Sequence, residues 1–433
     1  MLISVLGFVV LLLLCFSGFP LGWAMVLVGF GGFGLVRGFE PALATLGQLI
    51  LDFSMSYSFS TLPLFILMGA FVYRAALAED MYDCANAWLG HFRGGLAMAT
   101  VAACGGFAAV SGSSAATAAT MAKVAMPSMR RFNYDDRLAA GSVAAGGTIG
   151  ILIPPSIALI IYGILVEEDI GKLFMAGIIP GILTIVLYMT VIRIVTTIKK
   201  DWGPPGERTP WLGRFKALGK VWGIILLFLI ILGGIYGGIF TPSEAGGIGA
   251  VGALAFAIGR KKMSWLDFYK SLVEAGKTTV FVFTVAYGAI IFSNFINIAG
   301  MPDDILDFVN DLNVPPMGVI FAIMVIYIIL GAVFEGIGMI LLTVPIFFPV
   351  VQSLGFDLIW FGIVVIMVTE ISLITPPVGM NVFVLKSLLP DVSLWTIFAG
   401  IGPFFAADLV RLALVVLFPQ IALWLPSLMS STG

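Results

Sequence analysis

"GTIGILIPPS" (147–156) and "EISLITPPVG" (370–379) each sit in the middle of a long apolar run. Each carries two adjacent prolines where a membrane-crossing helix should be unbroken. Pro154 and Pro155 precede Pro376 and Pro377 by 222 residues, and the same offset relates Pro20 to Pro242, Pro127 to Pro349 and Asp135 to Asp357. Of the seven prolines before residue 200, four meet a proline at this one offset. Proline is about 5% of ordinary sequence, so fewer than one match is expected by chance. The chain therefore reads as a repeat. One half spans 1–198, a basic polar linker "KKDWGPPGERTPWLGRFKALGK" spans 199–220, and the other half spans 221–433.

Composition sets the class. Hydrophobic residues are 60% of the 433, charged residues 11%, and the mean hydropathy is +1.10. Soluble proteins carry about 25% charged residues, so this is an all-α polytopic membrane protein, with room for roughly ten to twelve spans of ~20 residues. The net charge of −2 argues against a nucleic-acid partner. Cys15, Cys84 and Cys104 lack metal or redox spacing and read as packing residues. The single histidine, His91, reads as a loop residue and cannot build a metal cluster. With no nucleophile–base pair either, an enzyme is disfavoured. "EAGKTT" (274–279) imitates the tail of a phosphate-binding loop, but Ser271 stands where that motif needs its first glycine, and no strand precedes it. Residues 1–36 carry no charge, which argues against a cleaved signal peptide. They read as two short helices, 1–17 and 21–36, turning at Pro20.

Charge distribution decides whether the halves are parallel or inverted, because cytoplasmic loops hold excess Lys and Arg. Arg130, Arg131 and Arg137 lie in 128–137, whereas the matching 350–359 has no Lys or Arg. The acidic "VEEDIGK" (166–172) is matched near 385–391 by a segment with Lys386, and Arg37 beside Glu40 is matched by the basic 260–262. Opposite bias at every comparison predicts inverted repeats. The linker, 128–137 and 260–262 fall inside; the N-terminus, 166–172, 241–245 and 350–359 fall outside. The block 94–127 must then begin and end inside, which makes it a re-entrant helical hairpin with its tip at Ser111–Ser114. "VFEGIGM" (333–339) is the matching tip, entering from outside. Two stretches, 40–58 and 264–279, read as amphipathic arms at the interface. In the second, Trp265, Phe268, Tyr269, Leu272 and Val273 share one face.

Irregular backbone at membrane depth is tolerated only where it is buried or lines a cavity, so both tips and both breaks converge near the midplane, as in secondary transporters. Hydroxyls of Ser111, Ser113, Ser114 and Thr117 are candidate ligands for a hard cation such as Na+; small residues there also serve close helix packing. A proline pair frees carbonyls upstream, here Gly150, Ile151 and Leu152, and Ser372, Leu373 and Ile374, which suggests two pseudo-symmetric ion sites. Glu335 and Glu370 either carry a coupling proton, neutralise a cation, or accept backbone N–H bonds. Ser243 and Glu244 read as a helix cap, and Asp408 with Arg411 as an ion pair.

"GGFAAVSGSSAATAATMAKVAMPSM", "AAGGTIGILIPPSIALIIYG", "FMAGIIPGIL" and "GGIYGGIFTPSEAG" resemble the large membrane subunit of tripartite ATP-independent periplasmic (TRAP) transporters, over nearly the whole chain. The resemblance implies an elevator-type architecture of the Na+-coupled ion-transporter superfamily in a bacterial or archaeal inner membrane. It implies a small four-helix membrane subunit, supplied as a separate chain, and a periplasmic substrate-binding protein. It also implies an organic-acid substrate such as a C4-dicarboxylate, sialic acid or another sugar or keto acid. Carried onto this chain, the family's Na+ sites fall on Ser111, Ser114, Gly150, Ile153 and Pro154, and on Gly336, Thr369, Ser372, Thr375 and Met380. No organic cofactor is implied. Ser113, Glu335 and Asn381 are the polar candidates for the substrate. A proton-coupled organic-anion carrier without a binding protein, and a channel, are the competing readings.

Overall fold

In the computed structural model, which describes residues 2–75, 77–311, 314–331 and 334–429 without the side chains of 108–111 and 310, the regular elements are helices. The first half contains α1 (Leu2–Phe16), α2 (Leu21–Arg37), α3 (Phe39–Met55), α4 (Thr61–Arg74) and α5 (Leu77–Leu89). It continues with α6 (Gly95–Ser111), α7 (Ser114–Arg131), α8 (Asp136–Thr148), α9 (Ile157–Val166) and α10 (Ile170–Ile198). The second half contains α11 (Trp211–Tyr236), α12 (Pro242–Gly259), α13 (Trp265–Ile298), α14 (Met301–Asp311) and α15 (Pro316–Gly331). It ends with α16 (Gly336–Ser353), α17 (Leu358–Ser372), α18 (Met380–Leu388), α19 (Leu394–Leu417) and α20 (Gln420–Met429).

The sequence offset is also a structural one. Shifted by 222, α7 lands on α16 residue for residue, and α8, α9 and α10 land on α17, α18 and α19. Each half packs its matching pieces against the other half in exchange. α4 lies on α12 as α13 lies on α2, and α9 lies on α16 as α18 lies on α7. The Pro154–Pro155 and Pro376–Pro377 bonds in the two breaks are cis.

The loops collect at two ends. At one end the linker hydrogen-bonds to both ends of the first hairpin. Gly94 N–H donates to Gly203 O (2.9 Å), Asp135 N–H to Trp202 O (3.2 Å), and Gly206 N–H to Gly90 O (2.9 Å). Tyr134 hydroxyl donates to Pro204 O (2.9 Å) and accepts from Leu96 N–H (3.2 Å). The hairpin α6–α7 thus starts and finishes at the same end, which is what re-entrance requires. Arg130 joins Asp391 there at 2.6 Å. At the other end Tyr162 hydroxyl donates to Leu358 O (2.6 Å), and Gly171 faces Ile235. The stretches 128–137, the linker and 385–391 thus lie together, and Tyr162 and Gly171 meet Leu358 and Ile235 elsewhere.

Four details differ from the sequence reading. Among the described residues, only five helices are individually long and apolar enough to cross a membrane, or six if the bent pair Phe39–Met55 and Tyr57–Arg74 counts as one span. The expected larger number is made up by shorter apolar pieces, because the breaks and hairpins cut the path into half-length helices. The stretch 264–279 is no separate arm: it runs on into α13 without a break, since 264–298 contains no proline. Its first-half counterpart does break, bending by 57° at the serine-rich 54–60, with Pro63 in the first turn of α4 unable to extend a hydrogen-bonded ladder from α3. The linker holds a 3-10 turn at Lys200–Trp202 and stays outside α-helix only to Pro210, and α11 takes over from Trp211. The cap before α12 is Thr241, paired reciprocally with Glu244, rather than Ser243. Ser243 instead bonds Thr61 across to α4.

Between α8 and α19 the backbones touch. A Cβ on Gly141 would stand 2.5 Å from Gly400 O, and one on Gly400 would fall on Arg137 O. Membrane helices gain association energy from such close approach of small residues. Gly141→Leu is expected to force α8 off α19 and to cost about 1–3 kcal/mol. A lowered midpoint of thermal unfolding in detergent, with no comparable drop for Gly247→Leu in open space, checks this.

Candidate ion and substrate site

The hairpin tips and helix breaks meet. Gly112 turns the first tip at φ +60°, where a side chain would be strained. Ser113 then caps α7 by accepting the Ala116 N–H (3.4 Å). Glu335 occupies the cap position of α16 at the second tip. In the first break the chain passes through a short 3-10 turn at Ile149–Ile151, and Ser156 caps α9 while donating its hydroxyl to Ile151 O. In the second, Asn381 N–H reaches back across the break to Leu373 O (3.2 Å).

A cavity of about 30 Å3 lies where these parts touch, lined by Gly112, Ser113, Ser114 and Ala115, by Ile151 and Ala158, by Glu335, Gly336, Ile337 and Ile340, and by Leu373 and Met380. First-turn residues of α7, α9, α16 and α18 are all present in its wall, so four helix N-termini converge on it. Their summed N-terminal dipoles favour negative charge. The ends of α6, the 3-10 turn and α17 supply the opposite polarity. The volume matches about one water molecule, which suits a cation and excludes a dicarboxylate.

Ser113 also lines a second cavity of about 320 Å3, walled by Thr120 and Phe107 of the hairpin and by Tyr73, Glu274 and Thr278 of α4 and α13. A third, of about 350 Å3, continues from Tyr73 and Thr120 to Arg74, Lys123 and Lys262. The small cavity and this cleft share Ser113 in their walls, and the cleft runs along α7 from Ser113 past Thr120 to Lys123 and Val124. Small-molecule pockets run to roughly 300–1,000 Å3, and the cleft has that size. Sequence reasoning missed Tyr73, Thr120, Glu274 and Thr278. The readable signal was Thr120, which shares a helix face with Ser113 seven residues earlier.

The expected site residues divide. Ser113, Ser114, Glu335, Gly336 and Met380 line the small cavity. Thr369 stands directly behind the second tip, since a Cβ on Gly336 would come within 3.0 Å of its methyl, and Ser372 is pressed against Gly331. Thr369, Ser372 and Thr375 donate their hydroxyls to carbonyls within α17 or its end, Val365 O (2.8 Å), Thr369 O (2.7 Å) and Ile371 O (2.6 Å). Their oxygens keep lone pairs for a cation. Gly150, Ile153 and Pro154 lie in the first break beside the cavity rather than in its wall, with Ile153 turned toward Gly105 and Gly181. The side chain of Ser111, and Val333 of the second tip, fall outside the described residues.

Three expectations are corrected. Asn381 does not face the cavity: it is fully buried and donates to Ala144 O of α8 (3.2 Å). The Leu152 carbonyl faces Gly177 of α10, so it is spent on helix packing. Glu370 points away from the tips, and its carboxylate meets Arg411 at 2.8 Å. Arg411 also pairs with Asp408 at 3.2 Å, as expected from their spacing.

The family model described as "Tripartite ATP-independent periplasmic transporter, DctM component" matches residues 8–421. The chain is similar to a C4-dicarboxylate TRAP transporter large permease protein of Pseudomonas aeruginosa, 38% identical over 92% of this chain and 93% of the relative. It is 32% identical to an ectoine/5-hydroxyectoine TRAP transporter large permease protein of Ruegeria pomeroyi, covering 97% of this chain and 98% of that one. It is 30% identical to a sialic acid TRAP transporter large permease protein of Vibrio cholerae, covering 97% of each. Among solved structures, the Alcanivorax borkumensis YdaH transporter superposes with a TM-score of 0.59 at 13% identity over 88% of each chain, a likeness of fold.

The connected cleft predicts a reactivity contrast. With Cys15 and Cys84 replaced by alanine, Thr120→Cys should react readily with a water-soluble maleimide in the purified protein. Ser142→Cys, at a fully buried position of α8, should stay unlabelled. Equal rates at the two positions, read by intact-mass spectrometry, would contradict the cleft.

Proposed function

The chain belongs to the DctM component family of tripartite ATP-independent periplasmic transporters, and on that premise we propose that it is the large permease of a Na+-coupled importer of a small organic acid. The observation that carries the reading is the meeting of four helix N-termini with two broken helix ends around one small cavity. N-terminal dipoles and N–H groups favour a carboxylate, while unwound carbonyls and hydroxyls favour Na+. Ser114 and the backbone of Gly150, Ile153 and Pro154 would hold one ion, and Gly336, Thr369, Ser372, Thr375 and Met380 the other. The ions supply positive charge that offsets the carboxylate in a low-dielectric site. Ser113, which lines both the small cavity and the cleft, and Glu335, which lines the small cavity, would contact the acid.

The linker, 128–137 and 260–262 carry most of the basic residues, so that end is assigned to the cytoplasm of a bacterial or archaeal cell and the N-terminus to the periplasm. The cleft then opens inward, toward release. Hairpins and broken helices would move as one body against α2, α4, α12 and α13, carrying the site across as an elevator. Selectivity rests chiefly with a periplasmic substrate-binding protein that delivers the acid, and a small four-helix membrane subunit completes the membrane part. The names of the relatives cover C4-dicarboxylate, sialic acid and ectoine, which fits a common carboxylate-holding centre with the finer choice made elsewhere.

Proteoliposomes holding the complete transporter should take up a binding-protein-loaded acid only with an inward Na+ gradient, and this chain alone should take up no free acid. Uptake driven by a pH gradient without Na+ would favour the proton-coupled carrier, and uptake that does not saturate would favour a channel. Ser114→Ala removes one ligand of several. It should raise the half-saturating Na+ concentration roughly five- to hundredfold, for a loss of ~1–3 kcal/mol, with a smaller effect on the maximal rate.

A further inference from the structure

The two ion-bearing helices are anchored differently. α8 rests on α19 by bare backbone contact at Gly141 and Gly400. The position matching Glu370 in the first half is Thr148, whose hydroxyl turns back to Ala145 O of its own helix (2.8 Å). α17, by contrast, ends in an ionic lock. Glu370, Asp408 and Arg411 are all fully buried, and Arg411 of α19 meets Glu370 of α17 at 2.8 Å and Asp408 at 3.2 Å. Tyr188 of α10 donates to the second oxygen of Asp408 (2.7 Å), and Arg411 donates to Thr184 of α10. One guanidinium therefore ties three helices together, and its only α17 partner among the described residues sits one residue after Thr369 and two before Ser372.

We infer that Arg411 acts through Glu370 as a positioning pair for the second ion site, setting where the Thr369–Ser372 oxygens stand beneath the second tip. Neither side chain reaches the small cavity, so neither ligates the ion. The geometry works by leverage. A rotation of α17 by one residue turns its side chains about 100° around the helix axis, which would exchange Glu370 for Thr369 at the tip. A carboxylate held by a buried guanidinium resists that rotation, because a charge has no other partner in an apolar interior. The first site, seated by close backbone packing, has no such lock and does not depend on this pair.

The inference rests on the Na+ reading above, and the test separates the two. Na+ response is measured twice: as uptake by the complete transporter in proteoliposomes, and as the Na+ concentration that half-maximally stabilises the purified full chain against heat. Glu370→Gln, which keeps size but lowers a charge-assisted contact to a neutral one, should raise both half-saturating concentrations roughly three- to tenfold. The maximal rate and the unfolding midpoint at saturating Na+ should stay near wild type. Asp408→Asn removes the same charge from the same cluster but touches α17 only through Arg411. It still accepts from Tyr188, and its Na+ response should stay at the wild-type value. Should Glu370→Gln not fold, Arg411→Lys stands in. It keeps the charge but loses the fork that spans the three helices, and should shift the Na+ response in the same direction. An unmoved Na+ response in the folded Glu370 or Arg411 variant, or equal shifts in Glu370→Gln and Asp408→Asn, would overturn the positioning role. A wild-type chain indifferent to Na+ would overturn the Na+ reading itself.

Discussion

A peptide group in hydrocarbon has no water to turn to, and this chain breaks its helices at that depth on purpose. Each unpaired N–H or C=O there costs several kcal/mol, so a break survives only where something else supplies the bond. The structure shows the suppliers. Ser156 covers the Ile151 carbonyl, Asn381 N–H returns to Leu373 O, Ser113 caps α7, and Asn381 reaches over to Ala144 in the other half. Three of these bonds close within a single break or tip, so each irregular segment largely satisfies itself, and the fourth ties the second break to α8 of the other half.

Inversion makes the meeting of tips and breaks possible. Because one hairpin starts from the linker's end and its counterpart from the other, their tips meet rather than stack. α9 of the first half then seats on α16 of the second, and α18 on α7. The same exchange brings four positive helix ends to a single point. Helix dipoles of this kind favour negative charge without any cationic side chain. The small cavity is ion-sized and the adjoining cleft is substrate-sized; Ser113 belongs to both.

The symmetry is incomplete where energy is concentrated. One half holds its broken helix by glycine contact, which is specific in shape and carries no charge. The other uses a buried guanidinium between two carboxylates. Only loss of the guanidinium itself would leave both carboxylates buried without a cationic partner, since either carboxylate alone still pairs with it. The arms diverge as well: α3 is severed from α4 at the serine-rich turn, whereas its counterpart is continuous within α13. Two copies of one plan thus acquired different stiffness, at the arm and at the anchor.

The sequence by itself determined the membrane class, the repeat with its offset, the inversion, the re-entrant first hairpin and several of the tip and break residues that line the small cavity. These are written in composition, in proline positions and in the placement of Lys and Arg, all of which act locally or along one axis. Ser113, Ser114, Gly336 and Met380 were legible because tips and breaks carry their own chemistry. Facing directions were not. Thr369 and Glu370 are neighbours in the chain, yet one stands under the tip and the other meets Arg411, a difference of about 100° around an all-buried helix. An all-apolar helix offers no polar face from which to read its rotation, so only packing against α19 and α10 could set it. The same holds for Asn381, drawn to Ala144 instead of the cavity, and for the cleft behind Thr120, whose walls come from five separate helices. Periodicity tells which residues share a face; which neighbour that face meets is decided only when the helices pack.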